Sequence, residues 1–197
     1  MGQAKLKKLS GQYPDLTRTE TLARAARAVA FVSALTHDNF GADCVMQAKL
    51  LAALLDGMNL PARVAIGHAV WRVGADPVDV VAHHPNTYCG PQSVSAHEGF
   101  EGHAWVEVGD LIVDSTTNQW QAKLDRLGRV EGRQPQLDWP HDVLVLRRGR
   151  VRSLRSVLRA STFAAHYEEL AEFRPALDFH DVDAGELMQV RAAFEAP

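Results

Sequence analysis

GFEGHAWVEVGDLIVDSTTNQW, residues 99–120, carries two short apolar runs on either side of a turn dipeptide. Ala104-Trp105-Val106-Glu107-Val108 and Leu111-Ile112-Val113 have the β-branched, alternating character of strands, and Gly109-Asp110 suits a tight hairpin. A turn at that dipeptide sets Val108 opposite Leu111 and Trp105 opposite Asp114. His103 lies two positions beyond Trp105, so its side chain shares a face with Trp105 and stands diagonal to Asp114, within reach of a long side chain. A carboxylate beside a histidine can hold the imidazole in one tautomer and orientation. Such a pair acquires a purpose if a nucleophile stands next to it.

The candidate nucleophile is Cys44. The segment CVMQAKLLAALLDGMNLPAR is apolar almost all round, and the pattern predicts a central buried helix from about Cys44 to Leu55. Gly57 and Asn59 suit its C-terminal stop, and Pro61 prevents its continuation. The first turn of a helix presents unpaired N–H groups and a partial positive charge, which favour a thiolate. A buried cysteine at a helix start is, taken alone, more often a small packing group. The His103 and Asp114 pair tips the balance, because a cysteine nucleophile needs a histidine to take and return its proton. The expected geometry puts the Cys44 sulfur within about 4 Å of one ring nitrogen, with the other nitrogen facing Asp114. For an oxyanion the Cys44 backbone N–H is the natural donor, with the Asn39 side chain as its partner and Gln47 in reserve.

Around these residues the chain reads as an α+β fold. Leu22, Ala25, Ala26, Val29, Phe31, Val32 and Leu35 recur at helical spacing, and Thr17 with Glu20 has a capping-box pattern, which predicts a helix from about Arg18 to Leu35. ARVAIGHAVWRV reads as a strand. From Gly74 to Gly102 the chain is rich in Pro, His, Gly and Ser, and reads as a long loop carrying at most one short strand at VDVVA. A loop of that size, leaving and returning just before His103, is expected to border the site and select what enters it. VLVLRRGRV predicts a further strand, while STFAAHYEELAEF and AGELMQVRAAF are helical by period.

GADCVMQAKLLAALLDGMNLPARVAIG, then GHAWVEV, then LIVDSTTNQW resemble the core of the transglutaminase-like superfamily, within the wider papain-like cysteine hydrolases. The resemblance covers about residues 39–120, in the family's order. It implies a central N-terminal helix packed on an antiparallel sheet, with Cys44 as nucleophile, His103 as base and Asp114 as orienting acid. It also implies acyl transfer or hydrolysis of an amide or peptide bond through a thioester, on a peptide, protein or small amide, without a metal or cofactor. The long stretch 74–102 departs from the short link common in that family. Residues 1–38 and 121–197 match nothing in it, and all 197 residues are read as one domain with a C-terminal strand and helices.

Composition narrows the function classes. Hydrophobic residues make up 46% and charged residues 23%, ordinary for a globular protein. A net charge of -3 and a pI near 6.3 give no footprint for nucleic acid. The basic run from Arg147 to Arg159 is read as a solvated face. No apolar stretch follows the N-terminal lysines as in a secretory leader, and none has the length of a membrane span, so a soluble, cytoplasmic protein is expected. Cys44 and Cys89 are too few for a disulfide framework.

Three other readings compete. His83, His84, Cys89, His97 and His103 invite a metal-binding hydrolase, but His97 and His103 lack the one-turn spacing of two ligands on a helix face. Ser115, Thr116 and Thr117 offer hydroxyls without a nucleophile elbow around them. A non-catalytic binding module could keep the same fold, though an intact Cys, His and Asp set argues against it. Trp105 is read as a packing residue and Arg63 as a structural one.

Overall fold

A computed structural model describes residues 18–36, 43–76, 79–83, 102–121, 142–179 and 181–196. The architecture is α+β. Helices α1 (Arg18–Thr36) and α2 (Cys44–Gly57) precede strands β1 (Arg63–Arg72), β2 (Val80–His83), β3 (His103–Val108), β4 (Leu111–Asp114) and β5 (Leu144–Arg147). A short helix α3 (Leu154–Leu158), strand β6 (Ala164–Glu169) and helix α4 (Ala184–Glu195) follow. Short 3-10 turns cover Thr116–Gln119, Arg148–Arg150 and Ala171–Phe179.

Helix α2 is buried on nearly every side, through Cys44, Val45, Gln47, Ala48, Leu50, Leu51, Ala52, Leu54 and Leu55. It packs on β3, flanked by α1 and α4. Its stop is set by Asn59, at φ 59°, and not by Gly57, which is the last helical residue. The Leu60 N–H bonds back to the Leu55 carbonyl and the Asn59 N–H to that of Asp56, a Schellman arrangement with asparagine in the left-handed position. In α1 the buried stripe is Leu22, Ala25, Ala26, Ala28, Val29, Ala30, Val32 and Ser33. Phe31 and Leu35, expected on that stripe, instead face outward, because at 3.6 residues per turn they fall on the side of the helix away from Leu22, Ala26, Val29 and Ser33. Thr17 of the expected capping pattern lies outside the described residues.

The sheet is antiparallel and six-stranded, in the order β2-β1-β3-β4-β5, with β6 on the second edge of β1. Strand β1 organises it. Along one edge Arg63 to Gly67 pair with β3, and Ala69 to Arg72 pair with β2. Both partners run antiparallel to β1, so β2 and β3 are two halves of one strand line interrupted by residues 84–102. The hairpin register follows the sequence reading, with Val108 opposite Leu111 and Val106 opposite Val113. Gly109 takes φ 63° at the turn, where a side chain would be strained.

Residues 164–169, expected to be helical, form strand β6. They pair with Gly67 to Arg72 over six positions, and this long-range ladder overrides the local helical period. Ala165 and Tyr167 turn inward to the aromatic core, while Glu168 is exposed. The β6 backbone lies so close to Gly67 that a Cβ there would sit 1.9 Å from the Glu168 carbonyl oxygen.

Alternation along the strands divides the core. Ile66, Ala104, Val106 and Val113 join the helices in one apolar cluster, which also holds Cys44. Ala65, Ala69, Trp71, Trp105, Ile112, Leu144, Tyr167 and Trp120 form a second. Helix α4 closes the first cluster through Val190 and Phe194, and Arg24 of α1 donates to the Phe194 carbonyl at 2.8 Å. Among the described residues no helix is long and apolar enough to cross a membrane.

Candidate active site

Cys44 is the first residue of α2 and is 8% exposed. The preceding Asp43 does not cap the helix with its side chain. Two carboxamides hold its carboxylate instead: Gln47 Nε2 donates at 2.6 Å and Gln119 Nε2 at 3.1 Å. The Asp43 side chain thus takes none of the N–H groups in the first turn of α2, which remain as donors there.

His103 opens β3 and Asp114 closes β4, each 1% exposed. His103 Nε2 and Asp114 Oδ2 are 2.8 Å apart, the diagonal contact that the hairpin register allows. Among the described residues Nδ1 is buried without a formed hydrogen bond, and the Cys44 thiol adjoins the ring closely enough to favour its protonated form.

Electrostatics of the pair follow from burial and charge. Burial works against the imidazolium, but the charge and hydrogen bond of Asp114, with those of Cys44, overcome it and raise the His103 pKa to about 9. Burial also disfavours ionised Asp114. The charge of His103 and hydrogen bonds from His103, Thr116 and Tyr167 outweigh that, and its carboxyl stays below the usual range. Each partner thus favours the charged form of the other.

Aromatic rings enclose the imidazole. His83 stacks on it at 5.2 Å and Trp105 at 6.3 Å, while Trp71 meets it edge-on at 5.0 Å. Trp105 is buried in the second core, as a packing residue would be. Asp114 is held from its other side. Oδ1 accepts from the Thr116 N–H at 3.0 Å and its hydroxyl at 2.8 Å, and Oδ2 accepts from the Tyr167 hydroxyl at 2.8 Å. Thr117 donates to the Asp142 carbonyl at 3.2 Å. Both threonine hydroxyls are thus occupied in holding the strand end.

The remaining candidates separate clearly. Gln47 is buried, and its amide donates to Asp43; its Oε1 has no hydrogen-bond partner among the described residues. Asn39, His84, Cys89 and His97 lie outside the described residues, as does most of the long loop. Among the described residues no group of three or more His, Cys, Asp or Glu side chains could hold a metal ion. Arg63 bridges Glu107 and Glu169, each at 2.5 Å, and so ties β1 to β3 and β6. An open cleft of about 520 Å³ beside Arg63, Glu169 and Arg174 contains none of Cys44, His103 or Asp114.

Sequence reasoning missed Tyr167, Trp71 and Gln119. The alternation of Ala165 and Tyr167 against His166 and Glu168 was the available signal for Tyr167. A helical reading of that segment hides it.

No family model matches the chain, and no curated protein does. A crystal structure described as "genomics APC5867" is similar in fold, at 15% identity and a TM-score of 0.57, over 90% of this chain and 78% of the other. That likeness concerns the fold alone.

Proposed function

We propose that the chain is a cysteine-dependent hydrolase or acyltransferase with a transglutaminase-like, papain-like domain, and that Cys44, His103 and Asp114 are its triad. The observation that carries this reading is the buried His103–Asp114 ion pair beside a thiol at the start of a buried helix. Its substrate is a peptide, protein or small amide; nucleic acid and membranes are not partners in this reading, and the chain works in the cytoplasm without a cofactor.

The reaction proceeds as acyl transfer. The Cys44 thiolate attacks the acyl carbon, and the carbonyl oxygen becomes an oxyanion near the uncapped end of α2. The carbon–nitrogen bond breaks as His103 gives its proton to the departing amine, leaving a thioester. Water, or an amine in the transferase case, then adds to the thioester and passes its proton to His103. The carbon–sulfur bond breaks, and that proton returns to the pair. Asp114 holds the imidazole in place and stabilises its charge throughout.

Alkylation tests the reading. Iodoacetamide at mildly acidic to neutral pH should modify Cys44 much faster than Cys89, as read by peptide mass spectrometry. The rate at Cys44 should fall in His103→Ala, because an ordinary thiol with pKa about 8.5 is mostly protonated there. Equal labelling of the two cysteines, unchanged in the mutant, rejects the enzyme reading. The competing reading is a binding module that keeps the fold without turnover. It is favoured by the nearly complete burial of all three side chains. Fast labelling of Cys44 without turnover of any acyl substrate would select it.

A further inference from the structure

The oxygen of Asp114 that faces His103 has a second donor. Oδ2 accepts from His103 Nε2 and from Tyr167 Oη, each at 2.8 Å. Thr116 occupies Oδ1 with two bonds. Four donors fill the roughly four lone-pair sites that a carboxylate offers. The Tyr167 oxygen in turn accepts from Trp71 Nε1 at 2.9 Å. A hydroxyl that accepts a hydrogen bond becomes a stronger donor, so Trp71, Tyr167, Asp114 and His103 form one polarised chain.

We propose that Tyr167 is a positioning residue that shares Asp114 Oδ2 with His103 and so limits how tightly the imidazole keeps its second proton. This rests on the catalytic reading of Cys44, His103 and Asp114. The reaction needs His103 charged while the thiolate is stored and the amine leaves, and neutral when water must be deprotonated. A buried carboxylate offering its whole charge to the imidazole would hold it in the charged form. Each further donor disperses that charge and lets the proton leave at a lower pH. A tyrosine needing only a partner for its hydroxyl would be satisfied by any carbonyl. Tyr167 bonds instead to the atom that orients the imidazole, and its own proton is held firmly: burial and the Asp114 charge raise its pKa well above the ordinary value.

Among the described residues, the titratable groups facing the imidazole are Cys44 from α2, His83 from β2, Asp114 from β4 and Tyr167 from β6. Trp71 and Trp105, from β1 and β3, complete its surroundings without charge.

The test is an NMR titration of the His103 imidazole in the full chain, with the His83 signal assigned separately. In Tyr167→Phe the His103 midpoint should move up by a few tenths to about one unit. Trp71→Phe should move it in the same direction by less. An unchanged or lowered midpoint in folded Tyr167→Phe overturns the proposal, since a purely structural tyrosine would leave the titration where it was. Should Tyr167→Phe fail to fold, Trp71→Phe decides: an upward shift supports the role, and none overturns it. Cys44 alkylation in His103→Ala separates the two claims. Insensitivity there removes the enzyme reading, while an upward midpoint in Tyr167→Phe still establishes the chain from Tyr167 to His103.

Discussion

His83 and His103 stand next to one another along one edge of β1, opposite Ala69 and Gly67, although residues 84–102 lie between them in sequence. Their rings stack at 5.2 Å. Only the position opposite His68 separates them along that edge, so one residue could bridge the two half-strands. Deleting residues 84–101, with Gly102 kept as the bridge, should therefore leave the fold intact, because shortening a loop changes closure entropy slowly. Circular dichroism and Cys44 alkylation should match the full chain. Loss of the cooperative unfolding transition would show that the deleted residues belong to the core.

Acidity and alkalinity should destabilise the protein through the same pair. The His103 pKa is raised from 6.5 to about 9, so its contribution is complete below pH 6.5 and disappears as pH rises through about 9. The Asp114 pKa is lowered from 3.8, so its contribution is complete above that value and disappears as pH falls further. Thermal unfolding between pH 3 and 10 should show a plateau with losses on both sides. His103→Gln should flatten the alkaline limb. An alkaline limb unchanged in that variant would assign the loss to other groups.

Asp114→Ala should be costly, because it leaves the buried His103 imidazole and the Tyr167 and Thr116 hydroxyls without their acceptor. Removing one partner of a buried ion pair costs ~3–5 kcal/mol, readable by urea unfolding. Asp114→Asn keeps the volume but removes the charge. It should fold more stably than the alanine variant and still lose the fast alkylation of Cys44 at mildly acidic pH. Full retention of that alkylation would remove Asp114 from the mechanism.

Gly67→Ala should disturb the fold at the point where β6 crosses β1. The new Cβ would meet the Glu168 carbonyl oxygen at 1.9 Å, so the β6 backbone must move. Overpacking of this kind costs ~1–3 kcal/mol, to be read from denaturant unfolding. The same shift would displace Tyr167 from Asp114, since Tyr167 pairs with Ala69 only two positions along the β1–β6 ladder from Gly67. A variant as stable as the parent would mean that β6 can yield at no cost.

Local chemistry made part of this molecule legible without coordinates. The hairpin joining β3 and β4 has its register written in Gly109-Asp110 and in the alternation on either side, so the approach of His103 to Asp114 follows from counting. Helix α2 is equally plain, because its run is apolar on nearly every side, and Cys44 falls at its start. These features depend on residues close together in the chain, where spacing and side-chain period act directly. Tertiary structure decided the rest. Residues 164–169 have a helical period in isolation and became a strand only because β1 offered an open edge, and that ladder carried Tyr167 across 53 positions to Asp114. The same holds for β2 and β3, whose union into one line is imposed by β1, and for Gln119, which meets Asp43 from 76 positions away. Alternation within residues 164–168 could hint at a strand, but hydrogen bonds and packing between distant segments do not name their partner in either segment, because each half of such a contact is satisfied only when the other arrives.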